Sequence, residues 1–301
     1  MARDLPFVDA HVHLWDLDRI AYPWLTPPFS DDGPNGSVAQ IARTYLLDDY
    51  LADAAGWDVR GVVHVDAGAA PEAALAETEW LQAMADARGL PNAIIAFAAL
   101  DDPQVDALLA AHARHPAVRG IRHIVNWHPD PRRSYTPRDV TRDEAWARGF
   151  GLLGKHGLSF DLQAYPGQFP GLARLIAQHP ETQVILNHAG MAVPGEWNDW
   201  RAGMRALAAL PHVAVKISGM GFTHRPCARA DIQPYVLQTI DLFGADRVMF
   251  ASDFPTDKLF GSFAAHLDAY DSCTAGFSDA ERAAMFAGNA NRLYRLGLDL
   301  T

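Results

Sequence analysis

Cysteine is nearly absent. The 301 residues contain two, Cys227 and Cys273, in neither a C-x-x-C nor a Cys/His spacing, which argues against a disulfide framework and a thiolate zinc cluster. Positive charge is in deficit: 25 Lys plus Arg against 36 Asp plus Glu give a formal net charge of −11. That is the wrong sign for the basic face by which nucleic-acid binders release counterions. Lysine itself occurs only as Lys155, Lys216 and Lys258. No run approaches the ~20 apolar residues of a membrane span. The opening MARDLPFVDAHVHLWD interrupts its apolar residues with charges, where a secretory leader needs a continuous apolar core. A cytoplasmic location with no membrane and no nucleic-acid partner is therefore expected. At 49% hydrophobic and 20% charged residues, the composition is that of a globular chain able to bury a large core.

What is there is periodic. Short β-branched or apolar runs alternate with Ala- and Leu-rich amphipathic stretches, the pattern of a parallel sheet with crossover helices. Strands are predicted at 7–11, 59–65, 93–100, 118–125, 158–164, 184–188, 213–218 and 247–252. Helices are predicted at 45–55, 72–88, 105–114, 144–156, 172–178, about 197–210 and 232–243. Gly56 and Gly89 stand where helix C-termini favour glycine. Ser278 and Glu281 form an S-x-x-E capping box opening a helical tail that reaches about Leu296. Repeats of this kind without a composition break predict one domain over 1–301, a (β/α)8 TIM barrel with a C-terminal helical extension. An open doubly wound sheet is the alternative.

In such a barrel the site forms at the C-terminal ends of the strands. The first strand ends His11-Val12-His13. Residues two apart share a strand face, so both imidazoles enter the mouth together, a pair that suits one metal ion. The eighth strand ends Ala251-Ser252-Asp253 before Phe254-Pro255, which places Asp253 at the mouth, either as a functional acid or as an aspartate capping a turn or helix. The sixth ends Asn187-His188, bringing a third imidazole to that level or a histidine hydrogen-bonded in a loop.

These residues, with VDAHVHLWD, the TEWL of Thr78 to Leu81, VRGIRH at 118–123, FDLQAYP at 160–166, VILNHAG at 184–190, VKISGM at 215–220, MFASDFP at 249–255 and GNANRLY at 288–294, carry a resemblance. The chain resembles the amidohydrolase superfamily in its amidohydrolase-2 branch. It is most similar there to the sugar-lactonase group of L-fuconolactonase-like, L-rhamnonolactonase-like and 2-pyrone-4,6-dicarboxylate lactonase-like proteins. The resemblance implies a hydrolase that opens a small-molecule lactone, a sugar-acid lactone or a carboxylated unsaturated one, with a place in carbohydrate metabolism. The chain departs from the two-metal members, which use a carboxylated lysine on the fourth strand. That strand has no lysine here, and the fifth offers Asp161 and Gln163 where metal-rich members carry histidine. What remains, His11, His13 and Asp253 with His188, could hold one Zn²⁺ with an open position. The resemblance equally allows catalysis by the imidazoles without a metal. Asn187 stands where the group carries aspartate.

The roles expected follow from this inventory. Asp253 is the general base, His188 helps stabilise the oxyanion, and Asp253 or His123 returns a proton to the departing oxygen. Arg122 and Gln163 are candidate substrate contacts, and Trp15, Trp24, Trp127 and Arg225 candidate walls of the pocket. Arg122 and His123 are adjacent on a strand, so at most one of them faces the lumen. Lys216 is expected in a buried ion pair with a carboxylate such as Asp161. A homo-oligomer is compatible with the sequence. The rival activity is that of metal-dependent non-oxidative decarboxylases of aromatic or unsaturated acids, which commonly place a histidine ligand where Gln163 stands. The other rival, a barrel that binds without turnover, would have lost Asp253 or the H-x-H pair.

Overall fold

The computed structural model describes residues 5–224 and 227–300. Eight strands, β1 (Phe7–Val12), β2 (Val59–Val65), β3 (Ala93–Phe97), β4 (Val118–Ile124), β5 (Ser159–Gln163), β6 (Val184–Leu186), β7 (Val213–Ile217) and β8 (Val248–Phe250), lie in sequence order in one sheet. Each successive pair is parallel. Helices α1 (Leu47–Asp53), α2 (Ala74–Arg88), α3 (Val105–His112), α4 (Glu144–Leu152), α5 (Phe169–Ile176), α6 (Trp197–Ala208), α7 (Arg229–Phe243) and α8 (Phe263–Cys273) alternate with them, giving the expected (β/α)8 barrel.

Strand alternation sorts the side chains into two cores. Outward residues such as Phe160, Leu162, Val213, Val215 and Phe250 pack under the helices. Inward residues such as Val8, Val63, Ile95, Ile185, Ala214 and Met249 fill the lumen. The C-terminal extension, α9 (Asp279–Ala283), a π turn at Ala284–Gly288 and α10 (Asn289–Leu293), joins this lumen core through Ala287, Ala290 and Tyr294. It lies against the strand starts, where Arg119 donates to the Tyr294 carbonyl at 3.1 Å. The mouth is therefore left to the opposite end. Ser278 accepts from the Glu281 amide while Glu281 accepts from the Ser278 amide, the predicted capping box.

The barrel closes between β1 and β8. There the Asp253 amide donates to the His11 carbonyl at 2.9 Å and the His13 amide to the Phe254 carbonyl at 2.8 Å. Two elements differ from the sequence expectation. Helix α8 is not predicted, although Ser262 caps it by accepting from the Ala265 amide. Helix α5 starts at Phe169 rather than 172, because Pro170 is tolerated in a first helical turn. Among the described residues no helix is long and apolar enough to cross a membrane.

Candidate active site

A cavity of about 250 Å³ opens at the C-terminal ends of the strands, lined by His13, Arg122, Gln163, His188 and Asp253 together with Trp24, Ala67, Gly68, Ile124, Tyr135 and Phe222. At its floor, β1 delivers two imidazoles. Their Nε2 atoms are 3.2 Å apart, and both approach Asp253 Oδ1, at 3.3 Å from His11 and 3.2 Å from His13. His13 Nδ1 lies 2.7 Å from the Val65 carbonyl. A carbonyl can only accept, so Nδ1 carries a hydrogen and Nε2 is the nitrogen that faces His11 and Asp253. Asp253 sits in the left-handed region at φ 58°, which turns the chain out of β8 toward the mouth. Its Oδ2 is buried with no partner.

His188 follows β6 at φ 53° and stands with its ring centroid 4.8 Å from that of His11. Its Nδ1 is 3.0 Å from Ser218 Oγ. Gly219 makes this position available: its φ is 58°, and a Cβ there would run into the His188 ring. Donor atoms of His11, His188 and Asp253 all lie within 4.8 Å of one another.

The charges are set by burial and neighbours. Burial holds His11 well below the ordinary imidazole range, and the charges of Lys216, His188, His13 and Arg122 reinforce it. Burial pushes His188 down to about 4 against the pull of Asp253. For Asp253, burial acts upward, but His188, His13 and Arg122 outweigh it and keep the carboxyl below its usual value. At neutral pH the floor thus presents an ionised carboxylate beside two neutral imidazoles, His11 and His188, with lone pairs available.

Two nitrogens and one oxygen spaced 3.2–3.3 Å apart match the edge of a tetrahedral zinc ligand set, about 3.3–3.4 Å for bonds of about 2.0–2.1 Å. The orphaned Asp253 Oδ2 and the nearby His188 leave room for a fourth partner. The residues present fit one divalent ion.

Arg122 faces the cavity from β4. Its Nε reaches Asp66 Oδ2 at 3.3 Å, its Nη2 donates to the Asp66 carbonyl, and its Nη1 donates to Gln163 Oε1 at 3.2 Å. The same Nη1 lies 3.5 Å from His11 Nε2. Beneath the floor Lys216 donates to Asp161 and, at 2.9 Å, to the Ala10 carbonyl, so the anticipated buried pair is present. Its Nζ also lies 3.4 Å from His11 Nδ1.

Other expected residues lie elsewhere. His123 points outward as its neighbour Arg122 points inward; its Nδ1 accepts from the Leu100 amide at 3.2 Å and from Trp146 Nε1 at 3.3 Å. It is in no position to return a proton to a substrate. Trp15 is fully buried behind the wall, donating to the Arg43 carbonyl at 2.6 Å. Trp24, edge-on to it at 5.5 Å, takes the cavity face. Trp127 does not line the cavity; its amide donates to Gln168. Arg225 lies outside the described residues.

The sequence reading missed Asp66, Asn35, Tyr135 and Phe222. Asp66 follows β2 in the same way that Asp253 follows β8, a signal that was available. The others stand on connections, where no periodicity announces a direction. Tyr135 donates to Asn35 Oδ1 at 2.6 Å, joining two loops over the mouth.

Residues 8–296 match the profile of the amidohydrolase family, and the chain belongs to it. It is 42% identical to the uncharacterized protein y4mH of Sinorhizobium fredii, over 97% of this chain and 99% of that one. It is 29% identical to an L-fucono-1,5-lactonase of Burkholderia multivorans, over 96% of each. A crystal structure of a Burkholderia multivorans amidohydrolase with bound zinc superposes with a TM-score of 0.78 at 28% identity, covering 96% of this chain and 99% of the other.

Proposed function

We propose that this member of the amidohydrolase family opens the ring of a neutral, polyhydroxylated lactone with water activated by Asp253. The observation that carries the reading is the Asp253 carboxylate: it lines the cavity, is ionised at neutral pH, and keeps one buried oxygen free of any protein partner. A water held by that oxygen loses its proton to it as it attacks the lactone carbonyl. Negative charge then grows on the carbonyl oxygen, and Arg122, fixed by Asp66 and Gln163, supplies positive charge beside His11 without reorganising. As the tetrahedral intermediate collapses, protonated Asp253 gives its proton to the departing ring oxygen. A carboxylate held below its usual range is a weak base. That suits an activated cyclic ester better than an amide.

His11, His13 and Asp253, with His188, would hold one divalent ion, and the zinc in the structurally similar relative supports this choice. When bound, such an ion polarises the carbonyl and acidifies water. A metal-free reading has its own support, because Arg122 and Lys216 already place two cations 3.5 and 3.4 Å from the two nitrogens of His11.

The substrate class follows from the walls. Among the described residues lining the cavity, Arg122 is the one side chain of fixed positive charge, and Asp66 already neutralises it. None of the other described lining residues offers a fixed cation to a carboxylate. Trp24 offers a flat apolar face for a sugar ring. The lactonase name of a relative that matches 96% of the chain supports the same class.

The test is proton release in weak buffer with a panel of neutral aldonolactones and carboxylated unsaturated lactones. Neutral lactones should open, and Asp253→Asn should lower kcat by about 10²- to 10⁴-fold while circular dichroism stays unchanged. Exclusive opening of carboxylated lactones would overturn the substrate assignment. No opening of any lactone by folded protein would overturn the reaction.

A further inference from the structure

Glu77 is an ionisable residue that α2 buries outside the cavity, at 1% exposure. Two donors converge on its carboxyl group. The Tyr22 hydroxyl donates to Oε1 at 3.0 Å, and the Ala67 amide supplies a backbone hydrogen bond. They belong to different loops. Tyr22 leads directly into the turn Pro23–Leu25, which carries Trp24. Ala67 follows Asp66, whose side chain and carbonyl hold Arg122.

The two loops also touch each other: Trp24 Nε1 donates to the Ala67 carbonyl at 2.8 Å, and the Ala70 amide to the Ala21 carbonyl at 2.8 Å. Gly68 lies so close beneath the indole that a Cβ there would stand 2.9 Å from Nε1. Those contacts join loop to loop. Glu77 joins both to the helical wall of the barrel.

We propose that Glu77 is a positioning residue, which from behind the wall fixes the Trp24 face and the Asp66–Arg122 pair relative to one another and so sets how tightly the substrate is held. The substrate named here rests on the lactonase reading; the tether does not. The groups around Glu77 are Tyr22 from the first loop, Asp66 from the end of β2 and Arg122 from β4. On its far side His112 of α3 meets Thr78 at 3.0 Å. Burial and then the like charge of Asp66 push the Glu77 carboxyl up to about 8, against Tyr22, Ala67 and Arg122. The folded protein therefore binds a proton that the unfolded chain releases, over the window from the ordinary glutamate value up to about 8. Stability contributed at this position falls as pH rises through that window, and a glutamine escapes the loss.

The experiment compares wild type with Glu77→Gln, Glu77→Ala and Tyr22→Phe. Amide hydrogen exchange is followed over 16–43 and 66–70, lactone kinetics are measured, and thermal midpoints are taken at roughly pH 6 and pH 9. Glu77→Ala and Tyr22→Phe should speed exchange in those two segments by about tenfold and leave β5 to β8 as protected as in wild type. KM should rise several-fold as the Trp24 face loosens, with a smaller fall in kcat as Arg122 loses its fixed place beside the oxyanion. The midpoint of Glu77→Gln relative to wild type should climb between the two pH values. Wild-type exchange in both segments of Glu77→Ala, or a fall in kcat at unchanged KM, would overturn the proposal. Should Glu77→Ala fail to fold, Tyr22→Phe decides, since it removes one hydroxyl and leaves the carboxyl in place. If wild type opens no lactone, the functional reading fails while exchange still judges the tether.

Discussion

Lys216 and Asp161 form an ion pair inside the lumen at 0% exposure; burial pushes the Asp161 carboxyl up and the Lys216 ammonium down, and the surrounding groups show what makes the pair tolerable. Tyr294 donates to both Asp161 oxygens at 3.1 Å and Asn187 donates at 3.3 Å, while Lys216 is shared with the Ala10 carbonyl. Removing one partner leaves the other an uncompensated buried charge, so Lys216→Met should destabilise the protein by about 3–5 kcal/mol, read as a lower denaturant midpoint. Trp24→Ala removes a flat face and no reacting group. It should raise KM about two- to twelvefold, equivalent to the roughly 0.5–1.5 kcal/mol of an aromatic contact, with little change in kcat. The inward residues were legible in the sequence because strand parity is a physical rule: it places His11 with His13, and Asp161 with Gln163. Parity also says that Arg122 and His123 part company, without saying which turns inward. Trp15 and Trp24 belong to a connection with no parity at all, so the sequence offers both as walls of the pocket and does not say that only Trp24 reaches it.

At the scale of elements, seven of the eight crossover helices and all eight strands follow from the alternation of apolar runs with amphipathic ones. Termini were less legible. Strands predicted to run to 188 and 252 end at Leu186 and Phe250, because the residues beyond leave the ladder to build the mouth, with His188, Ala189 and Asp253 all at positive φ. A sequence shows apolar character, not the point where hydrogen bonding stops. Helix α4 packs so closely that a Cβ on Gly149 would collide with the Leu100 carbonyl at the end of the β3 unit. Gly149→Ala improves helix propensity, yet it should destabilise the protein by about 1–3 kcal/mol through overpacking. A thermal melt decides: a raised midpoint would mean that the helix shifts freely and the close approach is incidental.

For the whole molecule, an ion that His11, His13 and Asp253 were to hold, as proposed, would stabilise the folded state alone. Zinc at a hundred times its dissociation constant should add about 2.7 kcal/mol to stability, seen as a higher melting temperature that a chelator reverses and Asp253→Asn largely abolishes. An unchanged midpoint with added zinc would leave the carbonyl to Arg122 and the imidazoles. The same three residues lie where the barrel meets itself, His13 and Asp253 being 240 positions apart in the chain. No contiguous fragment owns the site. Cut between β4 and β5, the two halves would each be silent. Turnover regained on mixing would count the rings that have re-formed, which makes the enzyme a split reporter of its own assembly.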